Sequence, residues 1–193
     1  MKKYLSLLFL SASLAACSTQ QTARRTFFEN PLYAEYYYDD LVQNIVNMNV
    51  QGDPLAKDET YKESLDTARR EGLKKSKEAV AKQNEGSMGS FVSVSEETVG
   101  EVLWTDSHVH IGPDFQTVPG ISLHIYLSSV VDPRDVIFPD KSALDVGELL
   151  SPYESQTFEV KGVQSDKEPF HTVVLFDKAL NRIHGFAQIR KTQ

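Results

Sequence analysis

Residues 90–111 read SFVSVSEETVGEVLWTDSHVHI, and the hydrophobic period changes here. Phe91, Val92 and Val94 open the stretch; Val102 and Trp104 follow, then Val109 and Ile111. Successive strand side chains point to opposite faces, so spacing by two marks half-buried strands. The pattern continues through Leu123, Ile125 and Leu127, then Phe158 and Val160, Val173 to Phe176, and Ile183 to Ile189. Turn signals divide these runs: Thr105-Asp106, Gly112-Pro113-Asp114, Pro119-Gly120, Asp132-Pro133 and Pro139-Asp140. No long helical pattern separates them, which argues against a parallel α/β sheet. The reading is an antiparallel β-sandwich or barrel over residues 90–191.

Upstream, the period is helical. Asn30-Pro31 supplies an N-cap and a first-turn proline. Leu32, Tyr33, Tyr36, Tyr37, Leu41, Ile45 and Met48 then recur every three or four residues. Gly52-Asp53-Pro54 breaks the run, and Tyr61, Leu65, Ala68, Leu73 and Val80 begin a second one. Two runs joined by a short break predict an antiparallel helical hairpin over residues 30–86. Gly72 inside the second run costs about 1 kcal/mol relative to Ala. Of Tyr33, Tyr36, Tyr37 and Tyr38, three share one helix face and are expected to pack against the second helix or the following domain. Glu85-Gly86-Ser87-Met88-Gly89 reads as a flexible hinge. The predicted fold class is therefore α+β, a helical hairpin followed by the sandwich.

The first seventeen residues, MKKYLSLLFLSASLAAC, read as an address. Lys2 and Lys3 precede an apolar run from Leu5 to Ala16. At about 1.5 Å per helical residue this run is too short for a bilayer core of about 30 Å, so it reads as a signal peptide over residues 1–16. Leu14-Ala15-Ala16-Cys17 resembles the lipobox of bacterial lipoproteins. The resemblance implies cleavage before Cys17, lipid on its thiol, and a polar tether over residues 17–29. Ser18 is not the Asp associated with inner-membrane retention, so the outer membrane is favoured in a Gram-negative cell. The expected partner is the bilayer, with an envelope protein or glycan beyond it.

Composition narrows the rest. Among 193 residues there is one cysteine, which excludes an internal disulfide or a Cys-Cys metal site. A net charge of −7 gives no footing for nucleic acid. There is no G-x-S-x-G, S-x-x-K, H-E-x-x-H, P-loop, G-x-G-x-x-G or C-x-x-C-H. No catalytic residue is assigned, and no cofactor is expected beyond the covalent lipid. Asp106, His108 and His110 alternate on one strand face and are the candidate ligands for Zn²⁺ or Cu²⁺, with Asp114 and His124 as further donors. Val109 and Ile111 claim the core face, so the favoured reading leaves both histidines on a solvated face. His171 and His184 lie near strand ends and read as surface or capping residues.

An ordered set of pieces remains. Gly100-Glu101-Val102 is followed by Phe115 before the Gly120 turn, then by Leu123-His124-Ile125-Tyr126-Leu127-Ser128. Val146-Gly147-Glu148-Leu149, Gln156-Thr157-Phe158-Glu159-Val160, Val173-Val174-Leu175-Phe176-Asp177 and Gly185-Phe186-Ala187-Gln188-Ile189 come after. In order and spacing this resembles the DM-thirteen domain, the Skeletor-type module found beside DOMON domains. The resemblance implies a role in redox or electron transfer through a cysteine closing the Val173 strand. Asp177 occupies that position here, and a carboxylate neither cycles as a thiol nor supplies a thiolate ligand. Gly120-Ile121-Ser122-Leu123 also lacks the family's Pro and Asp. The expected function is a membrane-anchored envelope lipoprotein whose sandwich is a binding module; the alternative is an accessory redox or metal-handling protein.

Overall fold

A computed structural model describes residues 27–105, 107–161 and 169–191. Cys17, the tether up to Thr26, and Asp106 lie outside these residues. The architecture is α+β, a helical hairpin followed by antiparallel sheets.

Helix α1 (Pro31–Gln51) starts at Asn30, whose side chain accepts the N–H groups of Leu32 and Tyr33 at 3.0 and 3.4 Å. It stops at Gly52, where φ is 70°. The short α2 (Pro54–Lys57) turns the chain, and Asp58 caps α3 (Glu59–Asn84). The long helices run antiparallel: Ser76 donates to Asp39 at 2.6 Å, and Gln83 donates to the Pro31 carbonyl at 3.1 Å.

The face that packs is not the aromatic one. Ala34 and Ile45 of α1 are buried, with Tyr38 and Leu41 half-buried beside them, whereas Tyr36 and Tyr37 are exposed. From α3 the interface takes Gly72, Ser76, Ala79 and Gln83, while Tyr61 and Leu73 face solvent. Small residues let the axes approach. A Cβ on Gly72 would sit 2.8 Å from Val42 Cγ2, which explains glycine inside a helix. Tyr33 and Tyr37 pack on Phe27 and Phe28 instead, whereas Tyr38 lies between Phe28 and α3, where Lys75 Nζ stands 5.9 Å from its ring centroid.

The expected hinge is a strand. β1 (Ser87–Ser90) pairs with β4 (Glu101–Trp104) and with β12 (Arg190–Lys191). Gly89 sits where a Cβ would collide with the Gln188 carbonyl. The first sheet has the order β12-β1-β4-β5-β9, with β5 spanning His108–Ile111 and β9 Gln156–Glu159. The second sheet is built from β2 (Val92–Ser93), β7 (Leu123–Ser128), β8 (Leu144–Glu148), β10 (Thr172–Asp177) and β11 (Arg182–Gln188). Its order is β2-β11-β10-β7-β8. β3 (Thr98–Val99) and β6 (Gln116–Thr117) form a separate pair.

Val102, Val109, Ile111 and Phe158 of the first sheet meet Ile125, Leu127, Val173 and Leu175 of the second in one core. The second sheet is covered outside too: Phe138 packs on Tyr126 and Phe176 at ring distances of 5.5 and 5.3 Å. The outer face of the first sheet carries buried Leu103 and His110. The base of the hairpin meets it, where Asn30 Nδ2 donates to the Ile111 carbonyl at 2.8 Å. That bond ties the helix cap to the sheet.

Candidate binding site at one end of the sandwich

β10 ends at Asp177, and the chain turns over residues 178–181 into β11. The Asp177 side chain is fully buried. Its Oδ1 accepts the N–H groups of Ala179 and Leu180 at 2.9 and 3.1 Å, which closes the turn. Its Oδ2 reaches across and accepts the Ile121 N–H at 2.8 Å. Burial alone would raise the pKa of this carboxyl. The backbone donors of Ile121, Leu180, Ala179 and Ser122 outweigh it and hold the pKa below the usual carboxylate value. Gly120 is required at this approach, because a Cβ there would lie 2.6 Å from Asp177 Oδ2. One carboxylate thus fastens two loops.

A third loop joins them. Leu149 N–H donates to the Leu123 carbonyl at 2.7 Å, and Thr117 N–H donates to the Pro152 carbonyl at 2.9 Å. Gln156 accepts the Leu150 N–H at 2.8 Å and donates to the Ser151 carbonyl at 2.7 Å. On this bonded frame stand Ile121, Leu150 and Leu180, with 72%, 85% and 50% of their surfaces exposed. Tyr153, on the same loop as Leu150, is exposed too and bridges to Gln116. Nothing in the hydrophobic period singled these residues out, since they lie between strands. The available signal was their being large and apolar among turn residues.

The histidines are distributed otherwise. His108 and His110 stack at 5.6 Å between ring centroids. His110 is a correction to the solvated-face reading: it points away from the core as expected, yet only 5% of it is exposed, because the hairpin covers that face. Burial, then the neighbouring His108 and Lys82, lower its pKa to about 4. Its Nδ1 pairs with Thr157 Oγ1 at 3.1 Å, and His108 Nδ1 pairs with Ser107 Oγ at 2.8 Å. Their partner in the predicted ligand set, Asp106, lies outside the described residues. The further donors do not join them. Asp114 lies beyond the other end of β5 beside Glu101, whose pKa is raised by burial and by the Asp114 charge. His124 is in the second sheet. No group of three acidic, histidine or cysteine side chains with metal-holding geometry occurs among the described residues.

His184 is a second correction. It is buried at the irregular register of β11, where its carbonyl accepts the N–H groups of Val94 and Glu96, and its Nδ1 has no partner among the described residues. Burial lowers its pKa. His171 is exposed, as expected. A polar network unforeseen from sequence surrounds Asp145, which pairs with His124 Nδ1 at 2.9 Å and accepts from Lys178 at 3.0 Å and Tyr126 at 3.2 Å. Burial opposes ionisation of Asp145, but His124 and Lys178 prevail and lower its pKa. Opposite charges cancel there, which makes it a clasp between β7, β8 and the β10–β11 turn.

No helix among the described residues is long and apolar enough to cross a membrane. No family model, curated protein or solved structure matches the chain.

Proposed function

We propose that this chain is a lipid-anchored protein of the bacterial envelope whose sandwich holds a protein partner through the loop end fastened by Asp177. The observation that carries the reading is the display of Ile121, Leu150 and Leu180 on loops bonded to each other and to strand ends. Exposed apolar side chains on a rigid scaffold mark interaction surfaces, and ordered loops lose little entropy on binding. Cys17 supplies the anchor, at the outer membrane if the cell is Gram-negative. The sandwich is assigned to the DM-thirteen type on its ordered strand motifs. Asp177 fills the position of the family's cysteine with a bonded carboxylate, which favours binding over a redox role.

The test is photo-cross-linking in living cells. A photoreactive residue in place of Leu150 is expected to capture one recurrent envelope protein. The same residue at Val50, near the far end of α1, is expected to capture none. Absence of an adduct at Leu150, identical adducts from both sites, or capture of glycan strands overturns the proposal.

A further inference from the structure

The start of α1 carries an aromatic surface that the fold does not use. Phe27 and Tyr33 lie 5.3 Å apart between ring centroids, Phe28 and Tyr37 4.9 Å, and Tyr33 and Tyr37 6.2 Å. Tyr36 continues the surface and is 55% exposed. Helix packing is satisfied elsewhere, through Ala34, Leu41 and Ile45 on one side and Gly72, Ser76 and Ala79 on the other.

We infer that Phe27, Tyr33, Tyr36 and Tyr37 form a bilayer contact that rests the base of the hairpin on the membrane holding Cys17. The inference rests on the lipid anchor proposed above. Three observations support this occupant. Nine residues separate Cys17 from Phe27, and at roughly 3.3–3.6 Å per extended residue the link reaches at most about 36 Å. The aromatic surface begins where that link ends, so an anchored chain holds it beside the lipid. Tethering then raises the local concentration to about millimolar, and a weak surface contact suffices. Tyrosine, with an apolar ring and a polar tip, suits the headgroup level.

The aromatic contact does not depend on membrane charge. α1 has no Lys or Arg, and its ionised groups are Glu35, Asp39 and Asp40. Such a helix gains nothing from anionic lipid. The tether adds Arg24 and Arg25 just before Phe27, and an anionic surface attracts these two; the aromatic contact itself needs no anionic lipid, and on a zwitterionic surface it is insensitive to salt. A groove of about 550 Å³ on this side is lined at one end by Tyr33, Tyr36 and Tyr37 and farther along α1 by Asp40, Gln43, Asn44 and Asn47. These polar groups lie farther from the anchor, where water replaces headgroups. Docking at this point holds the sandwich close to the membrane as well, because Asn30 bonds the base of α1 to β5.

The experiment uses the full acylated chain in phosphatidylcholine vesicles with and without brominated acyl chains. Tyr36→Trp and Val50→Trp each add one fluorophore to native Trp104, the chain's one tryptophan. Brominated lipid is expected to quench the added emission of Tyr36→Trp about twofold, as for an aromatic ring at the interface, with no change in high salt and no quenching of Val50→Trp. Mass spectrometry of the N-terminal peptide separates the two claims. Acyl groups on Cys17 without quenching overturn the contact alone, whereas an unmodified Cys17 overturns the anchor and the contact with it. Quenching of both variants alike, or binding of soluble peptidoglycan fragments at Tyr36→Trp without quenching by lipid, also overturns it.

Discussion

β10 buries all six of its side chains, Thr172–Asp177, whereas α3, at 26 residues, buries Gly72, Ser76, Ala79 and Gln83. The sandwich is held by large apolar groups on two faces of one sheet. The hairpin is held by close approach of small residues, by Ile45 and Leu32, and by the polar bonds Ser76–Asp39 and Gln83–Pro31. A net hydrogen bond contributes about 0.5–1.5 kcal/mol, less than a buried leucine at about 1.5–3 kcal/mol. The hairpin is therefore the region of lower local stability, and its caps and its attachment through Asn30 matter more than any one apolar contact.

That contrast is open to direct attack. The largest effect is expected in the middle of the sandwich, where Leu175→Ala should lower stability by about 4 kcal/mol through the cavity it leaves. Ser76→Ala in the hairpin, removing the hydroxyl that bonds Asp39, should cost about 1 kcal/mol. Urea unfolding followed by circular dichroism measures both. Equal losses would break the contrast. Asp177→Ala falls between the two, at about 3 kcal/mol, because it leaves the N–H groups of Ile121, Ala179 and Leu180 without their acceptor. It sharpens the comparison differently. Amide hydrogen exchange should accelerate in residues 118–122 and 178–181 while α1 and α3 keep their protection. Acceleration in the helices would mean that the loop end and the hairpin are coupled.

How much of this was legible depends on what a residue pattern encodes. Asn30-Pro31 and Gly52-Asp53-Pro54 mark helix ends through local chemistry, so the caps appear where the sequence places them. Val109, Ile111 and Leu123 to Leu127 alternate and are core. Alternation says which face a side chain takes, but not what lies over that face, and His110 was misread for that reason. The tyrosines of α1 read as packing residues because three share one helix face, yet a close helix pair selects small residues, and the fourfold spacing of Gly72 and Ser76 is the signal for it. β1 is Ser-Met-Gly-Ser, with little apolar character; its strand comes from backbone pairing on both edges, which no hydrophobic period reports. Asp177 was singled out as a departure from the resembling family. Its backbone donors come from two loops remote in sequence, so the role needed the fold.

His110 tests the joint between the two regions, with an effect below that of Asp177→Ala. It lies on the outer face of the first sheet under the hairpin base, with His108 stacked beside it, Lys82 contributed by α3, Thr157 bonded to its Nδ1, and Glu159 paired with His108 in the strand register. Its folded pKa is about 4, while an exposed histidine titrates near 6.5. Between these values the unfolded chain binds the proton and the folded chain does not. Stability from this group is therefore complete above about pH 6.5 and declines as the pH falls toward 4, by about 2–3 kcal/mol over the window. His110→Gln keeps a polar group able to face Thr157 and removes the titration, so its urea midpoint should change less over the same interval than that of the parent. The acid loss should appear first in the pairing of the hairpin with β5, as faster amide exchange at the start of α1, since protonation places a charge between Lys82 and the sheet. If stability falls equally in parent and variant, His110 does not carry the pH dependence; if exchange rises first in β10, the acid-sensitive element is the sandwich and not the joint.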